Sequence, residues 1–233
     1  VSSVRSEGAQ AWLGWRGVAW RFGAQPWQWQ AADGLEAGVT AVAAALKADA
    51  AVRRPQLTLW LAGSVARPFV VQPVPGLRSW TEARRLAEAL APDETGLAGP
   101  CEVWLDAAPP GHAVLGVAIE TGTRETIERV LAAHGVRAAA MRPWWTAALA
   151  RALDAQPALS RIVVAEPESL VVLAGRDGVF SATATCAPLP SPEHAAAWLQ
   201  RSVLSLGIAD GEGVRVALSA GAGLDDAVME AWA

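Results

Sequence analysis

The residues of this chain with the right types and spacing for chemistry sit mostly in turns. Ala217-Leu-Ser-Ala-Gly-Ala-Gly-Leu224 reads as strand, glycine turn and helix, a layout that presents backbone N–H groups to a nucleotide phosphate. On that reading Ser219, Gly221 and Gly223 are the candidate cofactor-binding residues. Glycine is also simply what a tight strand-to-helix turn uses, and the plain turn is the commoner case. No G-x-x-x-x-G-K-[ST] occurs, which excludes a P-loop enzyme. Glu166 and Glu168 flank Pro167 between two strands in the manner of paired carboxylates, although a solvated loop is the expectation for such a turn. Asp177-Gly178 is a hairpin turn rather than a catalytic acid. His112, His134 and His194 fall in a proline turn, a helix end and a helix start, with no partner at metal or triad spacing. Ser64 and Ser219 lack the context of a nucleophile elbow. Cys101 and Cys186 have no C-x-x-C spacing and no companion histidine, so they are expected to be structural free thiols. These residues imply no metal and no catalytic constellation.

The elements that would position those turns occur twice. Ala11 to Phe22 reads as a hairpin with Gly14 and Gly17 at its turn, and Trp27 to Ala31 as a third strand. Trp27 and Trp29 alternate with Gln28 and Gln30, as on a strand with one face turned inward. A helix follows from Leu35 to Ala50, stopped by Arg53, Arg54 and Pro55, then an apolar strand from Leu57 to Ala62. The late copy has three strands in a meander from Arg161 to Thr185, a helix from Glu193 to Leu206 and a strand from Val214 to Ser219. A last helix is expected from Leu224 to Trp232. Between the copies, Arg67-Pro-Phe-Val-Val-Gln-Pro73 is extended. Ser79 and Glu82 form the capping box of a helix running to Ala91, and Pro92 to Pro100 is a loop. Cys101 to Ala107 and Ala113 to Glu120 are strands. The chain then returns through a helix from Thr123 to His134, ended by Gly135, a strand from Val136 to Met141 and a helix from Trp144 to Ala155 opened by Pro143.

Composition sets the class. Hydrophobic residues make up 52% and charged residues 18%, enough apolar surface for a substantial core and no case for disorder. A net charge of -4 argues against nucleic acid as a partner. Lys47 is the only lysine among 19 basic residues, a bias that fits a GC-rich genome. Tyrosine is absent while tryptophan reaches 12, and most of these rings fall in strands or at helix starts, where they fill space between elements. No apolar run is long enough to cross a membrane. The chain begins at Val1 without a signal pattern, so it is expected to be a trimmed piece, with any membrane segment lying outside it.

The order of elements resembles the actin-like ATPase superfamily. Its nearest look-alikes are the PilM family of type IV pilus assembly proteins and the GspL components of type II secretion. Arg67-Pro-Phe-Val-Val-Gln-Pro73 resembles the strand entering that superfamily's inserted subdomain, and Leu218-Ser-Ala-Gly-Ala-Gly-Leu224 its adenosine-side glycine turn. The resemblance implies an α/β, duplicated ribonuclease H-like (actin-like) two-lobe fold. Its parts would be a first core lobe over 1–66, an inserted α/β subdomain over 67–120, a return to the first lobe over 121–158 and a second core lobe over 159–233. Active members of the superfamily place Asp-x-Gly and Ser/Thr in the first hairpin of each lobe to hold magnesium and phosphates. Here the first hairpin is Trp12-Leu-Gly-Trp-Arg-Gly17, without acid or hydroxyl. The second is Val164-Ala-Glu-Pro-Glu-Ser169, where Glu166 and Ser169 stand as remnants and Pro167 removes a backbone donor. The expectation is therefore a non-catalytic scaffold without cofactor, any ATP being held only through Ser219, Gly221 and Gly223. Its partners would be pilus or secretion assembly proteins, including a short tail of a membrane protein, and its place the cytoplasm at the inner face of the bacterial inner membrane. The rival readings are an ATP-binding enzyme of the sugar-kinase type and a nucleotide-sensing module.

Overall fold

The structure is a computed structural model describing residues 8–49, 56–76, 79–106, 112–176, 179–189, 191–206, 213–218 and 227–232. Its first sheet grows from the most apolar early strand. β1 (Ala9–Leu13) pairs antiparallel with β2 (Gly17–Arg21), which pairs antiparallel with β3 (Gln28–Ala31). After α1 (Leu35–Ala48), β4 (Gln56–Leu61) returns parallel to β1, in register from Ala9↔Leu57 to Leu13↔Leu61. The expected alternation on the third strand holds: Trp29 stacks on the fully buried Trp12 at 5.4 Å, and Arg21 lies over the Trp27 ring. Gln28 and Gln30 face solvent.

The intervening region forms its own three-stranded antiparallel sheet. β5 (Arg67–Val71), β6 (Cys101–Leu105) and β7 (Val114–Glu120) are ordered β5-β7-β6 and covered by α2 (Trp80–Thr95). A separate apolar cluster built on Phe69, Val71, Ala87, Ala91, Val103 and Ala118 holds this layer together. The Ser79 hydroxyl accepts the Glu82 N–H at 3.2 Å, as the capping box requires. The helix does not stop at Pro92, as its sequence suggests; it runs one turn further and ends at Gly96, whose φ is 66°. Proline forfeits the N–H that would bond four residues back and crowds that carbonyl, yet Gly96 N–H still bonds Pro92 O at 2.8 Å and supplies the left-handed cap.

The chain re-enters the first sheet through α3 (Thr121–Ala133) and β8 (Arg137–Pro143), which lies parallel to β4 and gives the order β3-β2-β1-β4-β8. Helix α4 (Trp144–Ala155) then crosses to the second sheet. There β9 (Arg161–Ala165), β10 (Leu170–Arg176) and β11 (Val179–Cys186) form the expected meander. Helix α5 (Pro192–Ser205) precedes β12 (Gly213–Ala217), which runs parallel to β9. The order β11-β10-β9-β12 repeats β3-β2-β1-β4 of the first sheet, with antiparallel, antiparallel and parallel pairings in the same sequence; the fifth strands differ, β13 being antiparallel to β12 where β8 is parallel to β4. This is the duplicated ribonuclease H-like, two-lobe α/β fold.

The final element departs from expectation. The segment read as a last helix, Leu224 to Trp232, contains strand β13 (Val228–Trp232), antiparallel to β12 from Gly213↔Trp232 to Ala217↔Val228. The free edge of β12 offers a row of backbone donors and acceptors, and pairing with it outweighs a weak local helix preference. One continuous core spans both lobes, with Trp12, Leu59 and Trp145 on one side and Ile162, Val171 and Val216 on the other. The inserted sheet also reaches the second lobe, where Gln72 Nε2 donates to Ser181 O at 3.0 Å and Thr183 Oγ1 to Pro68 O at 3.4 Å.

Candidate functional site

Three turns converge where the lobes meet. In the first lobe, β1 ends at Leu13 and the chain reverses in a turn closed by Gly14 N–H to Gly17 O at 3.0 Å. The end of β4 lies beside it, because Ala62 N–H bonds Leu13 O at 2.9 Å; this places Gly63 and Ser64 next to Trp15 and Arg16. From the second lobe comes the turn between β9 and β10, Glu166-Pro167-Glu168-Ser169, closed by Glu166 N–H to Ser169 O at 2.9 Å.

That turn drives both of its carboxyl groups into the first lobe. Glu168 Oε1 accepts the Trp15 N–H and Oε2 the Arg16 N–H, each at 2.7 Å, and the Ser64 hydroxyl donates to Oε1 in a short bond. Glu166 Oε2 accepts the Gly63 N–H at 2.7 Å and the Ser169 hydroxyl at 3.0 Å. The approach is possible because two of the positions lack a Cβ. One added at Gly14 would lie 2.6 Å from the Glu168 carboxyl group, and one at Gly63 would lie 2.6 Å from Val171 Cγ2. The other side of the turn is anchored by Leu189 N–H to Glu168 O at 2.7 Å.

The solvated loop expected for Glu166 and Glu168 is therefore corrected. Glu166 is 3% exposed, Glu168 4% and Ser169 0%. A local reading misses this because the donors lie on turns about a hundred residues or more away in sequence. The legible signal was the Glu-Pro-Glu-Ser turn standing at a phosphate-binding position. Ser64, Gly63 and the Trp15–Arg16 backbone carried no signal of their own. Burial pushes the Glu166 carboxyl up to about 8, the bonds from Gly63 and Ser169 holding it back and the neighbouring Glu168 raising it further. Its Oε1 has no hydrogen-bond partner among the described residues.

At the junction the polar groups of the two lobes are bonded to one another. Ser64 is 3% exposed, and the carboxylate it meets already accepts two backbone amides. A cavity of about 300 Å³ opens onto Glu168, lined by Trp15, Arg16, Ser64, Arg67, Ala187 and Pro188. Burial lowers the Arg67 guanidinium below its ordinary value; its Nη1 donates to Thr95 O at 2.7 Å, while Nε has no partner among the described residues. No group of three or more His, Cys, Asp or Glu positioned for a metal occurs among the described residues. Cys101 and Cys186 are free thiols, each half-buried against an apolar cluster. Ser219, Gly221 and Gly223 lie outside the described residues.

A second recess lies between the inserted sheet and the first lobe. It is a groove of about 430 Å³ lined by half-buried Trp104 and Leu115 on one wall and Met141, Leu149 and Leu153 on the other, with Arg142 at its rim. Strands β6 and β8, the edges of their sheets among the described residues, border it.

No protein-family model matches the chain, and no curated protein matches it. Solved structures do. A protein of unknown function with an actin-like ATPase fold from Bacteroides thetaiotaomicron matches at 11% identity and a TM-score of 0.53, over 89% of this chain and 80% of that one. A PilM–PilN type IV pilus biogenesis complex matches at 16% identity and a TM-score of 0.52, over 88% of this chain and 67% of that one. The cytoplasmic domain of EpsL, an inner membrane component of the type II secretion system of Vibrio cholerae, matches at 14% identity and a TM-score of 0.49, over 87% and 78%. At these identities the likeness is one of fold, and the fold is that of the actin-like ATPases.

Proposed function

We propose that this chain is a nucleotide-independent actin-like scaffold that binds segments of partner proteins within a pilus or secretion assembly platform. The observation that carries the reading is the position of Glu168. Its carboxylate takes the Trp15 and Arg16 amides and the Ser64 hydroxyl, the first-lobe donors nearest to where the resemblance puts a nucleotide phosphate. A phosphate there would have to displace a carboxylate held by three charge-assisted bonds, each contributing about 1.5–3 kcal/mol. Closure between the lobes is then a property of the chain itself and needs no ligand.

The groove bordered by β6 and β8 supplies the binding surface. Its apolar walls suit a short extended segment with two or three bulky side chains, and the two strand edges offer backbone pairing along its length. The likeness to a PilM–PilN complex supports a protein segment as the occupant. Calorimetric titration with magnesium and ATP is expected to give no saturable heat, and micromolar binding would overturn the nucleotide-independent reading. Fluorescent peptides spanning the tails of co-encoded membrane assembly proteins test the groove. Binding that is lost at least tenfold in Leu149→Asp is expected, and binding indifferent to that change removes the groove from the reading.

A further inference from the structure

The groove between the inserted sheet and the first lobe is lined by three uncharged side chains with a hydrogen to donate, Trp104, Trp145 and Thr146. Each donor is already committed within the protein. Trp145 Nε1 donates to Ala66 O at 2.9 Å and Thr146 Oγ1 to Pro143 O at 2.7 Å. Trp104 Nε1 donates to Glu102 Oε1 at 3.0 Å. The charged members of the lining, Asp106 and Arg142, are exposed. The side chains between them therefore present carbon, and a polar side chain entering there loses water without gaining a partner.

Two of those three donors are held by backbone carbonyls, which no substitution removes. The third depends on a side chain, and that side chain on another. Glu102 and Trp104 stand two apart on β6 and so share a face of the inserted sheet. Glu102 Oε2 accepts Arg124 Nη1 in a short bond, and Arg124 also donates Nε to Glu128 Oε1 at 2.9 Å. Arg84 of α2, itself paired with Glu88, adds positive charge near Glu102. Arg124 lies in the first turn of α3, so the relay crosses from the first lobe to the inserted sheet, the two bodies whose surfaces form the groove. Neither Glu102 nor Arg124 is among the residues lining it.

We propose that Glu102 and Arg124 determine the specificity of this groove: Arg124 fixes Glu102, Glu102 takes the Trp104 indole N–H, and the ring so held accepts an aliphatic or aromatic side chain of a bound protein segment and refuses its polar isostere. The inference rests on the groove being a binding surface. Both residues act through Trp104 and are positioning residues. Released from Glu102, the indole offers the groove a donor and the ring loses its fixed orientation.

The test uses the full chain and two probes of equal shape, toluene and phenol, which differ by a methyl against a hydroxyl. Small aromatic molecules enter apolar recesses of folded proteins. Binding is followed by magnetic resonance at the Leu149 methyls and the Trp104 indole N–H, the latter assigned by its loss in Trp104→Phe. The wild-type protein is expected to bind toluene at least about fivefold more tightly than phenol. In Glu102→Ala that ratio should fall by about threefold or more, as the free N–H meets the phenol oxygen. The ligand-free indole N–H should shift and exchange faster in Glu102→Ala, and in the same direction by less in Arg124→Ala. Glu102→Gln keeps an acceptor for the indole and should lie closer to the wild type than Glu102→Ala. All these changes should come with melting temperatures within about 2 °C of the wild type, since partly exposed ion pairs contribute little to stability. Toluene that moves neither Trp104 nor Leu149 in the wild type overturns the groove and this inference with it. Wild-type binding whose toluene-to-phenol ratio is unchanged in Glu102→Ala, or an indole resonance unmoved by Glu102→Ala or by Arg124→Ala, overturns the relay alone and leaves the groove standing.

Discussion

A carboxyl group buried at a lobe junction makes stability depend on pH with a definite sign. Glu166 holds its proton up to about pH 8 in the folded chain, against an ordinary value of 4.5, chiefly because burial disfavours the charged form. Between those values the unfolded chain has released the proton and the folded chain has kept it. Folding therefore weakens as pH rises through this window and levels off above it. The groups that face Glu166 are the Gly63 amide, the Ser169 hydroxyl and the Glu168 carboxyl, with Arg215 across a neighbouring cavity of about 520 Å³. Denaturant unfolding at pH 5, 7 and 9 should show a loss of a few kcal/mol attributable to this residue. Glu166→Gln, which keeps the Gly63 bond without an ionisable proton, should flatten that part of the profile and be the more stable protein at pH 9. Identical pH profiles for the two proteins would refute the assignment.

At the scale of elements, the turns do the positioning and their glycines are the sensitive points. Gly63→Ala puts a methyl 2.6 Å from Val171 Cγ2 and 3.1 Å from Ser169 Oγ, inside a packed junction. A cost of about 1–3 kcal/mol is expected, since the second-lobe turn must shift. Gly122→Ala, in the first turn of α3 with nothing within 4 Å, is the control and should stabilise by about 0.5 kcal/mol through the unfolded chain. Equal effects in urea denaturation would mean that the junction is looser than its distances indicate. The elements themselves were largely legible. Period-2 alternation at Trp27–Gln30, the Ser79 cap and Gly135 with its φ of 70° all mark structure through contacts a few residues long. The misreading at β13 arose because the deciding interaction, a strand edge, lay outside the local pattern, whereas at Pro92 the deciding feature was the Gly96 cap four residues on.

For the whole molecule, one apolar core runs through both lobes by way of α4, and the inserted sheet touches the second lobe through Gln72 and Thr183. Lobes joined by a shared core and by two carboxyl groups have little reason to swing apart when a nucleotide is added or withheld. Small-angle scattering profiles with and without magnesium and ATP should superimpose. The Glu168→Ala variant should show faster hydrogen exchange at Trp15 and Arg16, where the bonds between lobes are lost. A nucleotide-dependent change in the radius of gyration of the wild-type protein would contradict closure by the chain alone.

Sequence by itself determined the class of fold, the doubling of the sheet order and the absence of acid and hydroxyl from the first hairpin. Each of these follows from periodicity, turn residues and side-chain type within short windows. Tertiary structure alone decided that Glu166 and Glu168, which look like a solvated turn, lie buried against Gly63, Ser64, Trp15 and Arg16. The reason is that a backbone N–H carries no residue identity. A cradle built from such groups on turns far apart in the chain exists only once the sheets have brought those turns together.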